Sequence, residues 1–314
     1  MGKRIVLIHG RSYKPDKTSL KNNWVEAIRH GIERDHGTAK ATAFKKTRLE
    51  MAYYGDLSNQ FLSISGKGSW TPSREAKDEA DRKEALEGLK HYGSKDFTRK
   101  NYNKIKKFDD ILMEAAADLL SGPLSIFGVG DELVGTVAPD MTHYWNPDAQ
   151  FGSDVRWRLT EVLRRAINAE DQVLLIAHSL GTIVSYDVLW KFSHYGEYKA
   201  LRDSKKLDIS LVTLGSPLGD ENVKDRLKGA AANGERKFPT NIREWNNFAA
   251  EDDYISHDST VANDFSDIKK YGQKPKVRDH AIYNMSIRGG DPNPHHATGY
   301  LIHPKVVKLV ADWL

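Results

Sequence analysis

One serine stands in a sequence context that predicts a nucleophile. The apolar run 173–177 predicts a buried strand, and a helical segment follows at 183–192, with Ser179 in the short turn between them. Ala177 and Gly181, two positions before and after the serine, are small enough for a turn so sharp that the hydroxyl stands above the edge of a sheet. The helix that follows would offer backbone N–H groups to developing negative charge. We therefore expect Ser179 to attack a carbonyl carbon, the alternative being a serine that merely caps the helix.

A serine hydroxyl is a poor nucleophile at neutral pH, so it needs a base and a carboxylate that orients the base. After a strand–serine–helix turn of this kind, the carboxylate and then the histidine follow along the chain. Three adjacent carboxylates, Glu251, Asp252 and Asp253, follow the predicted strand 242–248. We expect Asp253 to orient the base, with Asp252 as the alternative. A third possibility is that these three carboxylates form an acidic turn that is merely solvated and has no catalytic role.

Two adjacent histidines are the candidates for the base. His295 and His296 lie in segment 289–300, which is rich in glycine and proline. This segment falls between the last predicted strand and the last predicted helix, where the histidine of such a site belongs. We expect His295 to be the base, with His296 as the close alternative.

The end of the first predicted strand supplies the remaining part of the site. That strand ends in His9 and Gly10, so the loop after it can bring a backbone N–H close to an oxyanion. We expect the N–H groups of Arg11 and Leu180 to form a two-donor oxyanion hole. His9 is also expected to pack between loops. His178 is expected to line the pocket rather than act as the base, because adjacent residues on a tight turn point in different directions.

Metal and cofactor chemistry are not expected. The histidines lack an acidic or histidine partner at the i+4 spacing of a helical metal site, and His257, His280 and His303 fit ordinary loop, strand and helix-cap positions. The chain has no cysteine, which excludes disulfides, cysteine metal ligands and a thiol nucleophile. We expect neither a metal nor a cofactor.

Taken together, these segments resemble the lipase/esterase branch of the α/β-hydrolase superfamily, and within it the bacterial and GPI-deacylase-like serine esterases. The resemblance is carried by the His-Gly strand end, the Ala-His-Ser-Leu-Gly turn, the segment 214–218, the Trp245-x-Asn247 strand and the segment Gly299–Leu301. It covers both ends of the chain and implies hydrolysis of carboxylic esters. The sequence departs from the family pattern at Ala177, where glycine is commoner, and at 251–254, where Asp-Pro-Val is commoner. The second departure leaves the choice of acid open.

Short apolar runs alternate with helical segments along the chain, which predicts an α/β architecture with a mostly parallel sheet flanked by helices. The helical periodicity is clearest after Ser153, and Pro304 marks the start of the last helix. The predicted strands are Arg4–Ile8, Arg48–Tyr54, Gln172–Ala177, Ile209–Leu214, Ile242–Phe248 and His280–Ile287.

Residues 57–139 break this rhythm and predict an inserted cap or lid, within a core domain of residues 1–56 and 140–314. The apolar part of the insertion, Ala115–Val137, could contact lipid or acyl chains or could simply pack onto the sheet. The basic, aromatic segment Arg99–Phe108 fits a solvated helix face better than a surface for anionic membranes or nucleic acid.

Composition narrows the function classes. Charged residues make up 29% of the chain and the net charge is +4, an excess too small to indicate a nucleic-acid partner. The apolar run Ile5–Ile8 is too short for a signal peptide, and no run approaches the roughly 18 apolar residues of a membrane helix. We expect a cytoplasmic protein without a transmembrane segment. Transient contact with a membrane surface and the oligomeric state both stay open.

The sequence therefore predicts a serine hydrolase that cleaves small-molecule or lipid esters through Ser179, His295 and Asp253. Two alternatives stay open at this point. One is a catalytically idle fold of the same kind that acts as a binding module, and the other is a thioesterase or amidase that uses the same three residues.

Overall fold

A computed structural model describes residues 2–105, 139–203, 207–256 and 260–314. Six of its strands form one sheet in which every neighbouring pair is parallel, and two short strands form a separate antiparallel pair. The strands are β1 (Lys3–Ile8), β2 (Arg48–Ala52), β3 (Gln172–His178), β4 (Ile209–Leu214), β5 (Ile242–Ala250), β6 (Lys276–Ile282), β7 (Ile287–Arg288) and β8 (Asp291–Pro292). Across the large sheet the order is β2-β1-β3-β4-β5-β6.

Helices separate the strands of the six-stranded sheet along the chain, which confirms the predicted α/β architecture. The helices of the described residues are α1 (Lys17–Lys46), α2 (Gly55–Ile64), α3 (Pro72–Lys90), α4 (Arg99–Ile105), α5 (Pro139–Trp145), α6 (Gln150–Asn168), α7 (Leu180–His194), α8 (Lys199–Asp203), α9 (Glu221–Lys224), α10 (Val261–Asp264), α11 (Ala297–Leu301) and α12 (Pro304–Trp313). The first of them bends at Gly37, whose φ is 80°.

The central strands are apolar throughout because helices cover both faces of the sheet. In β3, Val173 and Leu175 face the layer that contains α6 and α7, whereas Leu174 and Ile176 face the layer of α1 and α12. All four side chains are at most 1% exposed. Since successive side chains of a strand point to opposite faces, burial on both sides produces the continuous apolar run that marked this strand in the sequence.

The last strand of the sheet differs from its prediction. It was expected at His280–Ile287 and is found at Lys276–Ile282. As an edge strand it has a partner on one side only, and three of its first four residues are charged, with all four at least partly exposed. An apolar pattern therefore marks the strand poorly, while the apolar residues after Ile282 belong to the chain that leads to β7. Smaller differences occur at β2, which ends at Ala52, and at β5, which continues to Ala250.

The division into a core and an insertion at 57–139 stays a prediction. Within the described part of that insertion, α3 packs against α1, α11 and β7. Residues 99–105 of the basic segment form helix α4, which buries Tyr102, and the rest of that segment lies outside the described residues. The apolar run Ala115–Val137 lies outside the described residues, as does His257. Among the helices of the described ranges, none has both the length and the apolar character needed to cross a bilayer.

A buried histidine caps the last helix. The Nδ1 atom of His303 accepts a hydrogen bond from the Lys305 N–H at 3.2 Å, and the His303 ring packs edge-on against Phe97. Burial, helped by the charges of Lys305 and Arg34, lowers the pKa of His303 to about 3. A neutral ring is also what the cap requires, because a protonated Nδ1 cannot accept a hydrogen bond.

Replacing His303 tests this electrostatic cost. An unfolded histidine takes up a proton near pH 6.5, whereas the folded His303 stays neutral down to a pKa of about 3. Between these two pH values the protein therefore loses about 1.4 kcal/mol of stability for each pH unit by which the pH falls. His303→Asn keeps a capping side chain that does not titrate, so its unfolding free energy should fall by about 2 kcal/mol less than that of the wild type between pH 6.5 and 5. Denaturant unfolding at several pH values measures this difference. An equal decline in the wild type and in His303→Asn would contradict the assignment.

Candidate active site

The candidate site lies where the strand order of the sheet reverses. From β1 the chain pairs first with β2 on one side and later with β3 on the other. The connections that leave β1 and β3 therefore diverge, and a crevice opens between them at the carboxyl ends of the strands. His9–Arg11 follow β1 and Ser179 follows β3, so the fold brings these two sequence-predicted segments to the same crevice.

Ser179 occupies a strained turn between β3 and α7. Its φ and ψ are 54° and −129°, a region that costs a non-glycine residue about 1–3 kcal/mol. Surrounding hydrogen bonds hold this conformation: the Ser179 N–H donates to the Leu214 carbonyl at 3.0 Å, and the N–H of Thr182 donates to the Ser179 carbonyl at 2.8 Å. Helix α7 begins at the next residue, Leu180, whose N–H is one of the first four that have no acceptor within a helix.

His295 pairs with Asp253, the two residues that the sequence analysis proposes as base and orienting acid. The His295 Nδ1 lies 3.0 Å from each carboxylate oxygen of Asp253. Because an ionised carboxylate only accepts, Nδ1 carries the hydrogen, and in the neutral ring the other nitrogen, Nε2, is left as a proton acceptor. His295 and Ser179 line the same cavity. The arrangement is therefore suited to moving a proton from a serine hydroxyl to an oriented imidazole.

A buried network holds the Asp253 carboxylate. The Tyr300 hydroxyl donates to Oδ2 at 2.5 Å and the Ile255 N–H donates to Oδ1 at 3.0 Å. Burial by itself would raise the pKa of Asp253, but the neighbouring His295 and the hydrogen bonds from His295 and Tyr300 outweigh it and leave the pKa below its ordinary value. Asp253 is thus kept ionised although only 2% of it is exposed. In the sequence, Tyr300 stands out only as part of the segment Gly299–Leu301, and no local pattern indicates its contact with Asp253.

His178 holds the loop that carries His295. Its Nε2 lies 2.8 Å from the His295 carbonyl oxygen, so Nε2 is the donor and Nδ1 is the acceptor of a neutral ring. Burial, with the nearby His295, lowers the pKa of His178 well below its ordinary value. The His178 side chain also lines the cavity that Ser179 and His295 line.

The two alternative residues have other partners. Asp252 has a φ of 60°, and its Oδ2 accepts the Tyr102 hydroxyl at 3.2 Å. The Nδ1 of His296 lies 3.1 Å from the Ser286 hydroxyl. The structure therefore brings Asp253 together with His295, while it joins Asp252 to Tyr102 and His296 to Ser286.

The loop after β1 crosses directly over the serine. His9 is fully buried; its Nε2 accepts the Tyr54 N–H at 3.1 Å, so its Nδ1 donates to the Gly10 carbonyl at 2.8 Å. A Cβ on Gly10 would lie 2.6 Å from the Ser179 Cβ, so only glycine allows this approach. On the other side of the turn, Gly181 packs against the backbone of His9.

A buried ion pair fixes the next two residues of that loop. The Arg11 guanidinium binds Oδ1 of Asp140 at 2.9 and 3.0 Å, and the Ser12 N–H donates to Oδ2 at 3.1 Å. Burial would raise the pKa of Asp140, but Arg11 and the Ser12 N–H hold it below its usual range. Asp140 lies in the first turn of α5 and is fully buried. Sequence reasoning missed it, since no local pattern links position 140 to position 11.

The cavity above Ser179 has a volume of about 320 Å³. Its apolar part includes Leu20, Trp24 and Leu62. Residues 62–82, from the predicted insertion, form a wall of it together with the loop after β1 and the histidine segment. Within the described part of the chain, one group of carboxylates, Asp16, Glu75 and Glu79, brings its oxygens within 4.8 Å of one another. It does not line the cavity, and Asp16 already caps α1.

Comparisons with known proteins add no family to these observations. No protein-family model matches the chain, and no curated protein and no solved structure matches it either. What the site does must therefore be inferred from its own geometry and chemistry.

The close approach at Gly10 leads to a stability prediction. Gly10→Ala should lower the unfolding free energy by about 1–3 kcal/mol, because the added methyl group must push the loop off Ser179. Gly88→Ala is the matched control: its Cβ would meet no atom within 4 Å in helix α3, and alanine there should add about 0.5–1 kcal/mol. Denaturant unfolding compares the two variants. If Gly10→Ala were as stable as the wild type, the loop would not lie against the serine.

Proposed function

We propose that this chain is a serine hydrolase of the α/β-hydrolase type that cleaves carboxylic esters through a covalent acyl-enzyme. One observation carries the proposal: the paired Asp253 and His295 share a cavity with Ser179, which stands in a strained turn at the start of a helix. A helix cap explains neither the pair nor the cavity, because a capping serine needs no histidine and no buried carboxylate.

In the first half of the reaction, His295 Nε2 takes the proton of the Ser179 hydroxyl as Oγ attacks the carbonyl carbon of the ester. The tetrahedral intermediate collapses, the bond to the alcohol oxygen breaks, and the alcohol leaves with the proton from His295. Water then attacks the acyl-enzyme with the same histidine as base, which releases the carboxylic acid and restores Ser179. Asp253 stays ionised and stabilises the imidazolium that forms in each half.

The oxyanion of each intermediate would be held by the backbone N–H groups of Leu180 and Arg11. The first belongs to the free N-terminus of α7, where the helix dipole also favours negative charge. The second lies on the loop that the Arg11–Asp140 ion pair holds in place. Fixed donors of this kind need no rearrangement during the reaction, which is why they lower its barrier.

The order of the site residues along the sheet supports the same proposal. Ser179 follows β3, Asp253 follows β5 and His295 comes after β6, so the three residues reach one edge of the sheet from strands far apart in the sequence. This order is that of the lipase/esterase branch that the sequence resembles.

Labelling with a fluorophosphonate probe tests the nucleophile. The purified protein should form a covalent adduct on Ser179, and Ser179→Ala should show neither the adduct nor ester turnover above about a thousandth of the wild type. Intact-mass spectrometry locates the adduct, and circular dichroism checks that the variant is folded. Thr182→Ser is a matched control, since this hydroxyl binds the Ser179 carbonyl rather than the cavity. A folded wild-type protein without an adduct would contradict the proposal and favour the binding-module alternative.

Paired variants test the acid and the base. Asp253→Asn should lower kcat by about 10³–10⁴, because the amide can hold the imidazole in the wrong tautomer, whereas Asp252→Asn should change kcat little. His295→Ala should remove turnover nearly completely, and His296→Ala should affect stability more than turnover, since His296 is buried against Ser286. Turnover of a 4-nitrophenyl ester and denaturant unfolding are measured for all four. The reverse ranking in either pair would transfer the role to its neighbour.

A further inference from the structure

One hydrogen-bond acceptor beside the nucleophile has no role in the proposed reaction. It is the Nδ1 atom of His178, the residue before Ser179. The Nε2 atom of the same ring donates to the His295 carbonyl oxygen at 2.8 Å. Because burial lowers the pKa of His178 well below its ordinary value, the ring is neutral, and Nδ1 carries a lone pair without a hydrogen. Among the described residues, no N–H or O–H group donates to this lone pair.

The His178 Nδ1 lies close to the hydroxyl group that would attack the substrate. Gly10, His178 and Ser179 all line the cavity. A Cβ on Gly10 would lie 3.1 Å from the Ser179 Oγ and 3.3 Å from the His178 Nδ1, so both atoms are within 3.3 Å of one point beside Gly10. A substrate whose carbonyl carbon bonds to Oγ therefore brings the atoms next to its ester group within reach of Nδ1.

A buried acceptor penalises any substrate that leaves it without a donor. Water can hydrogen-bond to Nδ1 before a substrate enters, but a substrate that fills this part of the cavity displaces that water. An acceptor left unpaired in this way weakens binding about tenfold or more. A substrate that brings its own donor to Nδ1 avoids this loss, so the site should prefer such a substrate over an analogue without the donor.

An indole ring next to His178 favours a hydroxyl group as that donor. Trp24 lines the same cavity, and its ring is nearly perpendicular to that of His178, with the ring centroids 6.2 Å apart. Trp24 is 2% exposed, and its Nε1–H has no acceptor in the part of the chain that the structure describes. A hydroxyl group has both a hydrogen for Nδ1 and a lone pair for an indole N–H. An alkyl, ether or halogen substituent has no hydrogen to donate.

We infer that the substrate is a hydroxy ester whose hydroxyl group lies within two carbon atoms of the ester group and donates a hydrogen bond to Nδ1 of His178. This inference rests on the proposed function, because it concerns the substrate of the same site. Two positions of the hydroxyl group satisfy it, one on the acyl chain and one on the alcohol, since both lie close to the carbonyl carbon that Ser179 attacks. His178 then has two roles: Nε2 supports the loop of His295, and Nδ1 binds the substrate.

Two matched pairs of esters test the inference. For the alcohol side, 2-hydroxyethyl butyrate is compared with 2-fluoroethyl butyrate, and for the acyl side, methyl 2-hydroxybutyrate is compared with methyl 2-fluorobutyrate. Fluorine is close to a hydroxyl group in size and also withdraws electrons, but it cannot donate a hydrogen bond. The release of acid gives kcat/KM, which is divided by the rate constant of alkaline hydrolysis of the same ester. We expect this normalised value to be about tenfold higher or more for the hydroxy member of one pair, and that pair identifies the side.

Two substitutions of His178 separate the roles of its ring nitrogens. His178→Gln extends as far as Nε2, so its amide can still donate to the His295 carbonyl oxygen, but it has no acceptor in the place of Nδ1. This variant should lower the ratio of hydroxy to fluoro kcat/KM about fivefold or more. His178→Asn ends near the place of Nδ1, so it should keep the ratio while kcat falls for both esters, because the loop of His295 loses its support. His280→Gln, on β6 and outside this cavity, is the matched control and should keep the wild-type ratio.

The outcomes separate this inference from the proposed function. Equal normalised kcat/KM within both pairs, in a protein that labels at Ser179 and hydrolyses these esters, would overturn the hydroxy-ester substrate and leave the hydrolase standing. A wild-type preference that persists in folded His178→Gln would overturn the role of Nδ1. If His178→Gln does not fold, loss of the preference in His178→Asn would overturn that role instead. A protein that neither labels nor hydrolyses any of the four esters would overturn both the inference and the proposed function.

Discussion

The parallel pairing of β1 with β3 is the constraint on which the candidate site depends. It sets the carboxyl ends of the two strands side by side, so the loop after β1 must cross the turn after β3. Gly10 can lie against Ser179, and Gly181 against His9, only because neither glycine has a Cβ, which would clash with the neighbouring residue. The same packing maintains the strained conformation of Ser179, because β3, α7 and the crossing loop fix the backbone around it.

Burial decides the charge state of the groups around that turn. Desolvation keeps His178 and His9 neutral, so each can accept one hydrogen bond and donate another in a fixed direction. The carboxylates of Asp253 and Asp140 are equally buried, yet each stays ionised because a histidine or an arginine and several donors face it. Burial therefore keeps the histidines that hold these loops neutral. A buried carboxylate stays charged only where a cation and hydrogen-bond donors surround it.

Much of the fold followed from patterns within single elements. Continuous apolar runs marked the central strands because both faces of the sheet are covered, and the small residues around Ser179 marked the turn because it is too sharp for larger ones. The edge strand β6 was misplaced because one-sided pairing and partial exposure leave no such run. Which of two adjacent carboxylates, or of two adjacent histidines, belongs to the pair depends on the direction of each side chain, and composition does not encode that direction.

The sequence by itself determined the α/β class, the strand–serine–helix turn and the segments that contain the acid and histidine candidates. Each of these depends on contacts between near neighbours in the chain, so it leaves a local pattern. Only the tertiary structure joined His295 to Asp253, set Tyr300 and Asp140 behind the site, and brought Arg288 to Asp78. His295 and Asp253 are 42 residues apart in the sequence, and Arg288 and Asp78 are 210 residues apart. They meet because the parallel sheet carries the ends of distant strands to one edge, and no pattern along the chain records that convergence.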